Sequence, residues 1–316
     1  MLTQNQVTQF RTQGFLVIED LLDADTLSAI RSEYAARMDE LYAEWFAQGL
    51  VDIAPGCLSF WEKLDQGYAN NLDVHQPLNI TLPHGDVRAD SPMHIGPAVF
   101  DMVRAPRVLD LVEDLIGPEI TASPIQQLRI KPPQGNARDD ELRAQVIATD
   151  WHQDKGVTLA EADDTEFVTV WLAITDATLE NGCLQVATTG PEGELLPHCC
   201  RKQVSIIDEH IPQGGVIATP VKAGGAVVFH PLTPHCSLPN TSDAYRWSFD
   251  LRFNVTGQPT GRSHLPEVIL RSRQTPDKVQ TDWRAWKQEW DETKQRLAQD
   301  AYRPQHRWDV SNPYCA

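Results

Sequence analysis

The stretch that decides the fold is Phe167-Val168-Thr169-Val170-Trp171-Leu172-Ala173-Ile174, followed by the turn Glu180-Asn181-Gly182 and then Cys183-Leu184-Gln185-Val186-Ala187. The run is β-branched, aromatic and too short for a buried helix, and Asn-Gly punctuates it as turns do, so it reads as two strands. Moving outward, Ile125 to Ile130, Val204 to Ile207, Ala226 to Phe229 and Tyr245 to Val255 have the same character. Lys131-Pro132-Pro133 and Ala223-Gly224-Gly225 bound them. Many short strands with few helices between them predict a mainly β chain with flanking helices, a sandwich or jelly roll rather than a parallel α/β sheet.

The flanks read as helix. Thr3 to Gln13 leads through Gly14 into a strand at Phe15-Leu16-Val17-Ile18. From Asp23 to about Gln48, Leu27, Ile30, Tyr34, Met38, Leu41 and Phe46 recur at helical spacing, with Asp25 or Thr26 as the cap. Residues 53–95 read as irregular loops, and Pro106 to Ile116 as a helix stopped by Gly117-Pro118. At the far end, Thr275-Pro276-Asp277 opens a helix carrying Val279, Trp283, Trp286, Trp290 and Leu297. Its tryptophans are expected to pin it to the barrel or to a second subunit. No repeat or linker divides the chain. The expectation is one domain, 1–316, with a helical part at 1–120 containing the early strand, a core at 121–256 and a helical extension at 257–316.

With 41% hydrophobic and 22% charged residues the chain can bury a core, and a formal charge of −17 argues against a nucleic-acid partner. No apolar run approaches roughly 18 residues, so no membrane partner is expected. The six cysteines lack zinc or redox spacing and read as reduced thiols. Together with the polar stretch Met1 to Arg11, this predicts a cytoplasmic protein. A small molecule is the expected partner, and a homodimer is compatible with the sequence.

The chemistry centres on Trp151-His152-Gln153-Asp154. On extended backbone, side chains two apart share a face, so the imidazole and the carboxylate can reach one cation. A lone His-x-Asp carries little weight; His235, about eighty residues on and near a second strand, gives it some. Two histidines and a carboxylate leave adjacent positions open on Fe(II). A 2-oxo acid such as 2-oxoglutarate can take two of these and O₂ the third. The presence of Asp154, where a halide would otherwise sit, favours hydroxylation over halogenation. His230 competes with His235 for the third ligand position and otherwise packs behind the site. The far carboxylate of the co-substrate needs a fixed cation, for which Arg246 serves. A hairpin through Pro239-Asn240-Thr241-Ser242-Asp243 would return Arg246 to the site, with Ser248 on the same face and Ser237 as a second hydroxyl.

Here the chain resembles the phytanoyl-CoA dioxygenase family of Fe(II)- and 2-oxoglutarate-dependent oxygenases. The likeness rests on Gln6-Val7-Thr8-Gln9-Phe10, Gly14-Phe15-Leu16-Val17, Lys131-Pro132-Pro133, Trp151-His152-Gln153-Asp154 and Val168-Thr169-Val170-Trp171-Leu172-Ala173. Asn181-Gly182-Cys183-Leu184-Gln185-Val186, His235-Cys236-Ser237 and Arg246 complete it. The resemblance implies a double-stranded β-helix of the cupin type, with iron on His152, Asp154 and His235. It also implies a 2-oxoglutarate carboxylate at Arg246 and Ser237, Trp171 lining that pocket, and Gln127 touching co-substrate or substrate. The organic substrate is expected to meet residues 53–95, the loop 134–148 and the C-terminal segment, with His94 and Arg129 as candidate contacts. These ligands leave desaturation, cyclisation or demethylation open beside hydroxylation. The non-enzyme alternative is a jelly-roll binding protein with a vestigial metal site.

Overall fold

A computed structural model describes residues 2–137, 140–188, 193–300 and 304–315. In chain order the elements are α1 Gln4–Gln13, β1 Phe15–Ile18, α2 Ala24–Ala47, α3 Phe60–Ala69, α4 Pro97–Val103 and α5 Pro106–Ile116, then β2 Ile120–Ala122, β3 Gln127–Lys131 and β4 Phe167–Ala173. They continue with β5 Leu184–Ala187, β6 His198–Cys199, β7 Ser205–Ile206, β8 Val216–Thr219, β9 Ala226–Phe229, β10 His235–Ser237, β11 Arg246–Val255, β12 Val268–Arg271 and α6 Trp283–Leu297. The large sheet runs β1-β9-β4-β11-β2-β12, with β3 beside β2 on the same flank of β11. A smaller sheet, β10-β5-β8, completes a jelly roll, and every ladder is antiparallel.

β11 shows how the pleat builds both the core and the site. Its odd-numbered residues Trp247, Phe249, Leu251 and Phe253 belong to the large apolar cluster with Leu128, Ile130, Val168, Val170 and Leu172, covered by Tyr34 of α2. Tyr34 meets Trp247 and Phe249 edge-on at 5.2 and 5.7 Å. Its even-numbered residues Arg246, Ser248, Asp250 and Arg252 alternate to the other face, where they pair with Lys131, Arg129, Gln127, Trp171 and Thr169. A strand buried on both faces thus lines the barrel interior with charge and the helical layer with rings.

Several expectations need correction. β10 pairs with β5, whereas β11 lies in the other sheet, so no hairpin joins His235 to Arg246. Asp23 caps α2, its carboxylate accepting from Thr26 N at 2.8 Å, in place of Asp25 or Thr26. Residues 53–95 contain α3, announced by a reciprocal Ser59–Glu62 capping box that apolar periodicity alone overlooks. Asp282 caps α6, and Pro276–Lys278 forms only a short 3₁₀ turn before it. Of the two places expected for the tryptophans of this helix the structure takes the first, with Trp286 and Trp290 buried in the chain's own core, which extends from Phe10 to Trp290. Cys199 and Cys315 form a disulfide with Cα atoms 5.3 Å apart across 116 residues, a pairing that sequence spacing does not reveal. The other four cysteines are free. Residues 138–139 of the 134–148 loop, and 301–303 and 316 of the C-terminal extension, lie outside the described residues.

Gly182 sits at φ +92°, and a methyl group there would strike the Leu238 carbonyl oxygen and press on the Lys131 side chain. We expect Gly182→Ala to cost about 1–3 kcal/mol, read as a lower urea midpoint with unchanged m-value. An unchanged midpoint would contradict the close approach.

Candidate active site

His152 lies just outside the small sheet but is joined to it. Its N–H donates to the His235 carbonyl at 2.9 Å, and the His235 N–H donates back to the His152 carbonyl at 2.9 Å. This isolated antiparallel bridge puts both imidazoles on one side, with ring centres 4.1 Å apart. Asp154, two residues on, begins a 3₁₀ turn and adds its carboxylate. Ligand atoms of His152, Asp154 and His235 all fall within 4.8 Å of one another, and all three side chains are buried.

The ring nitrogens are assigned by their partners. His152 Nδ1 lies 2.9 Å from Asp150 O and His235 Nδ1 3.0 Å from Thr233 O. A carbonyl only accepts, so each Nδ1 carries the proton and each Nε2 presents a lone pair to the common centre. Burial, reinforced by His235, pushes His152 down to about 3, and burial likewise lowers His235. Burial alone would raise Asp154; the Arg252 guanidinium, with His235 and His152, outweighs it and holds the carboxylate below the usual range. Both Asp154 oxygens are engaged, Oδ1 by Arg252 Nη2 and Oδ2 by the Thr169 hydroxyl. Two neutral imidazoles and one ionised carboxylate, fixed from behind, are the donor set and second layer of a divalent metal site.

Beside this cluster the barrel interior holds two buried basic side chains in register, Arg246 opposite Lys131. Lys131 Nζ donates to Ser237 Oγ at 2.7 Å and Leu238 O at 2.6 Å, and Arg246 Nη1 donates to Ser248 Oγ at 2.7 Å. Burial, then the neighbouring Arg129, brings Arg246 down to about 9; burial, with Arg246 and Arg129, takes Lys131 well below the lysine range. Neither has a carboxylate within ion-pair distance among the described residues. Arg246 lies 5.2 Å from the Trp171 ring, and both Arg246 Nε and Trp171 Nε1 are buried donors without an acceptor. Uncompensated buried donors and charge are costly, so this corner fits a small anion.

The remaining expected residues divide. Gln127 faces the interior, its amide held by Asn79 at 3.1 Å and His84 at 3.1 Å. Arg129 also faces inward but is ion-paired with Asp250 at 2.6 Å. Both line a cavity of about 340 Å³ that reaches His152 and continues to Arg143, Gln145, Lys202 and Arg262. The structure does not bring His94 there: its Nε2 pairs with Glu33 at 2.9 Å and its ring meets Tyr34 at 5.1 Å, under α2. His230 also lies apart; its N–H donates to Gly14 O and its ring contacts Phe10. Sequence reading missed two residues. Arg252 lies six positions from Arg246 and therefore on the same face, which is the signal that could have found it. Lys131 was noticed only as part of Lys131-Pro132-Pro133.

Comparison with known proteins agrees with this architecture. A family model described as phytanoyl-CoA dioxygenase (PhyH) matches residues 10–248. A curated protein from Caenorhabditis elegans named "Probable phytanoyl-CoA dioxygenase" is 28% identical over 190 residues, covering 55% of this chain and 58% of its own length. The match therefore spans less than two thirds of that relative. Among solved structures, the non-heme monooxygenase ThoJ in its apo form superposes with a TM-score of 0.59 at 18% identity, over 92% of this chain and 96% of its own. EvdO2 from Micromonospora carbonacea var. aurantiaca, complexed with 2-oxoglutarate, gives 0.54 at 19% identity, over 89% and 98%. At such identities the two structures establish the shared fold.

The His152 shift has a consequence for stability. Folded, the ring takes up a proton only near pH 3; unfolded, it titrates near 6.5. Unfolding therefore binds a proton between those values. The contribution is fully present above pH 6.5 and falls by about 1.4 kcal/mol per pH unit below it. In metal-free protein, His152→Gln should flatten the stability–pH slope between pH 6 and 4 by that amount, measured by urea unfolding at several pH values. Parallel slopes would contradict the buried neutral ring.

Proposed function

We propose, since the chain belongs to the phytanoyl-CoA dioxygenase family, that it is an Fe(II)- and 2-oxoglutarate-dependent dioxygenase that hydroxylates a small-molecule metabolite. The reading takes the chain as a single catalytic unit. The observation that carries it is the convergence of His152, Asp154 and His235 within 4.8 Å. Beside that centre lie the buried basic side chains of Arg246 and Lys131, with no carboxylate within ion-pair distance among the described residues. In this reading His152 Nε2, Asp154 and His235 Nε2 hold the iron. Arg246 and Lys131 hold the far carboxylate of 2-oxoglutarate, with Ser248 and Ser237 completing its hydrogen bonds and Trp171 walling it in. When bound, the iron would activate O₂, with 2-oxoglutarate giving up two electrons as it is converted to succinate and CO₂.

The chain's own residues position and exclude. Arg252 and Thr169 fix the orientation of Asp154, and the Asp150 and Thr233 carbonyls fix the tautomers of the two histidines. The apolar residues Phe229, Val186 and Val227 keep this end of the barrel dry. Gln127, held by Asn79 and His84, presents an oriented amide to the cavity, whose volume suits a small metabolite. Arg129 adds a guanidinium at the cavity wall. A cytoplasmic location belongs to this reading: four of the six cysteines are free, and the Cys199–Cys315 disulfide stands as the exception. Among the described residues no helix is long and apolar enough to cross a membrane.

Anaerobic Fe(II) plus 2-oxoglutarate should produce a visible charge-transfer band that His152→Ala abolishes. Arg246→Met and Lys131→Met should weaken 2-oxoglutarate binding about tenfold or more while leaving metal affinity within a few-fold, as loss of a charge-assisted hydrogen bond predicts. Absence of the band in wild-type protein, with 2-oxoglutarate turnover insensitive to His152→Ala, would sink the assignment.

A further inference from the structure

The segment 304–315 lies against the backbone that presents Asp154. Trp308 Nε1 donates to the Gly156 carbonyl at 2.6 Å, inside the Asp154–Val157 turn, and the indole stacks on His198 at 5.1 Å between ring centres. His198 in turn accepts from the N–H of Gln153, the residue between His152 and Asp154, at 3.1 Å. The packing around Gly156 is tight enough that a Cβ would come within 2.6 Å of the His198 ring. Arg307 pairs with Asp163 at 2.5 Å and donates to Thr158 O at 3.1 Å, while Cys200 Sγ donates to Trp308 O at 3.6 Å. Gln305 and His306, just before, line the cavity that reaches His152.

Very little apolar burial holds this segment. Among its described side chains only Cys315 is buried, and Val310 is 53% exposed. A handful of hydrogen bonds is weak compensation for ordering a dozen residues. What remains is the Cys199–Cys315 disulfide, which anchors the end of the segment to β6, one residue from His198. We infer that residues 304–315 are a positioning strap for the metal-binding turn and a wall of the substrate cavity, and that the Cys199–Cys315 bond is the thiol-responsive latch that keeps the strap in place. This rests on the metal reading above for its consequence, but not for the latch itself.

The latch forms when the Cys199 and Cys315 thiols transfer two electrons and two protons to a low-molecular-weight disulfide, which leaves as two thiols. The reverse exchange opens it. A phosphine and water do the same, the phosphine ending as its oxide and the two sulfurs as thiols. In a reducing compartment such a bond is a switch rather than a permanent cross-link.

The test uses full-length protein purified without reductant. Iodoacetamide in denaturant should label four cysteines before phosphine treatment and six after it, the two new sites mapping to Cys199 and Cys315; six labels at the outset would overturn the latch. In metal-free protein, amide exchange over the strap should accelerate at least tenfold after reduction and in Cys315→Ser, with β11 unchanged. An unaltered rate would also overturn it. With the phosphine removed, Co(II) alone should bind about tenfold more weakly to reduced wild type and to Cys315→Ser. Reoxidation with oxidised glutathione should restore wild type but not the variant. Trp308→Phe, kept oxidised, should lose part of the affinity and shift the Co(II) visible spectrum. Equal Co(II) affinity across all of these overturns the positioning role. If oxidised wild type binds no Co(II), the metal reading fails while the labelling and exchange results still decide the latch.

Discussion

Two backbone hydrogen bonds, His152 N–H to His235 O and His235 N–H to His152 O, join segments more than eighty residues apart in the chain. They act at the level of the main chain, so they fix both Cα positions before any side chain is placed. With Nδ1 of each ring committed to a nearby carbonyl, the two Nε2 lone pairs are aimed at one point without help from a metal. Asp154 then needs only the two-residue offset of an extended backbone to join them. The centre is thus preorganised by secondary structure, and burial keeps its imidazoles neutral and available.

Around that centre the molecule places charge where an acidic protein would be expected to avoid it. A chain of formal charge −17 devotes one face of β11 and β3 to Arg246, Arg252, Arg129 and Lys131, offset by Asp250 and Asp154. Arg129 and Arg252 are neutralised in place; among the described residues no carboxylate does the same for Arg246 and Lys131. The outer face of the same strands is apolar and packs under α2, so the stability of the sheet and the polarity of its interior come from alternate residues of one sequence. A substitution that slipped the register of β11 by one residue would exchange the two faces and destroy both.

Much of the fold is legible in the chain because its signals are local. The runs Phe167 to Ile174 and Ala226 to Phe229 announce themselves as strands, and Pro106 to Ile116 as a helix closed by Gly117. Short strands such as β2, β8 and β12 carry too few residues to show a period and exist because a neighbour offers them a ladder. The α3 helix was hidden for a different reason: its evidence is a cap, Ser59 with Glu62, rather than a long apolar stripe. The anionic corner shows the same division. Arg246 and Ser248 share a face by simple alternation, whereas Lys131 joins them only through the pairing of β3 with β11.

By itself the sequence determined which residues could serve: the period-2 alternation of β11, the His-x-Asp offset and the strand-and-turn grammar are all properties of neighbours along the chain. Only the tertiary structure decided which of them meet. It set His235 rather than His230 against His152, gave Arg252 to Asp154, left Arg246 and Lys131 without a carboxylate partner among the described residues, drew His94 away to Glu33, and brought Cys315 to Cys199. Each of those outcomes is a contact between segments far apart in sequence. Such contacts are fixed by sheet pairing and by the burial of charge, and neither leaves a mark in local spacing.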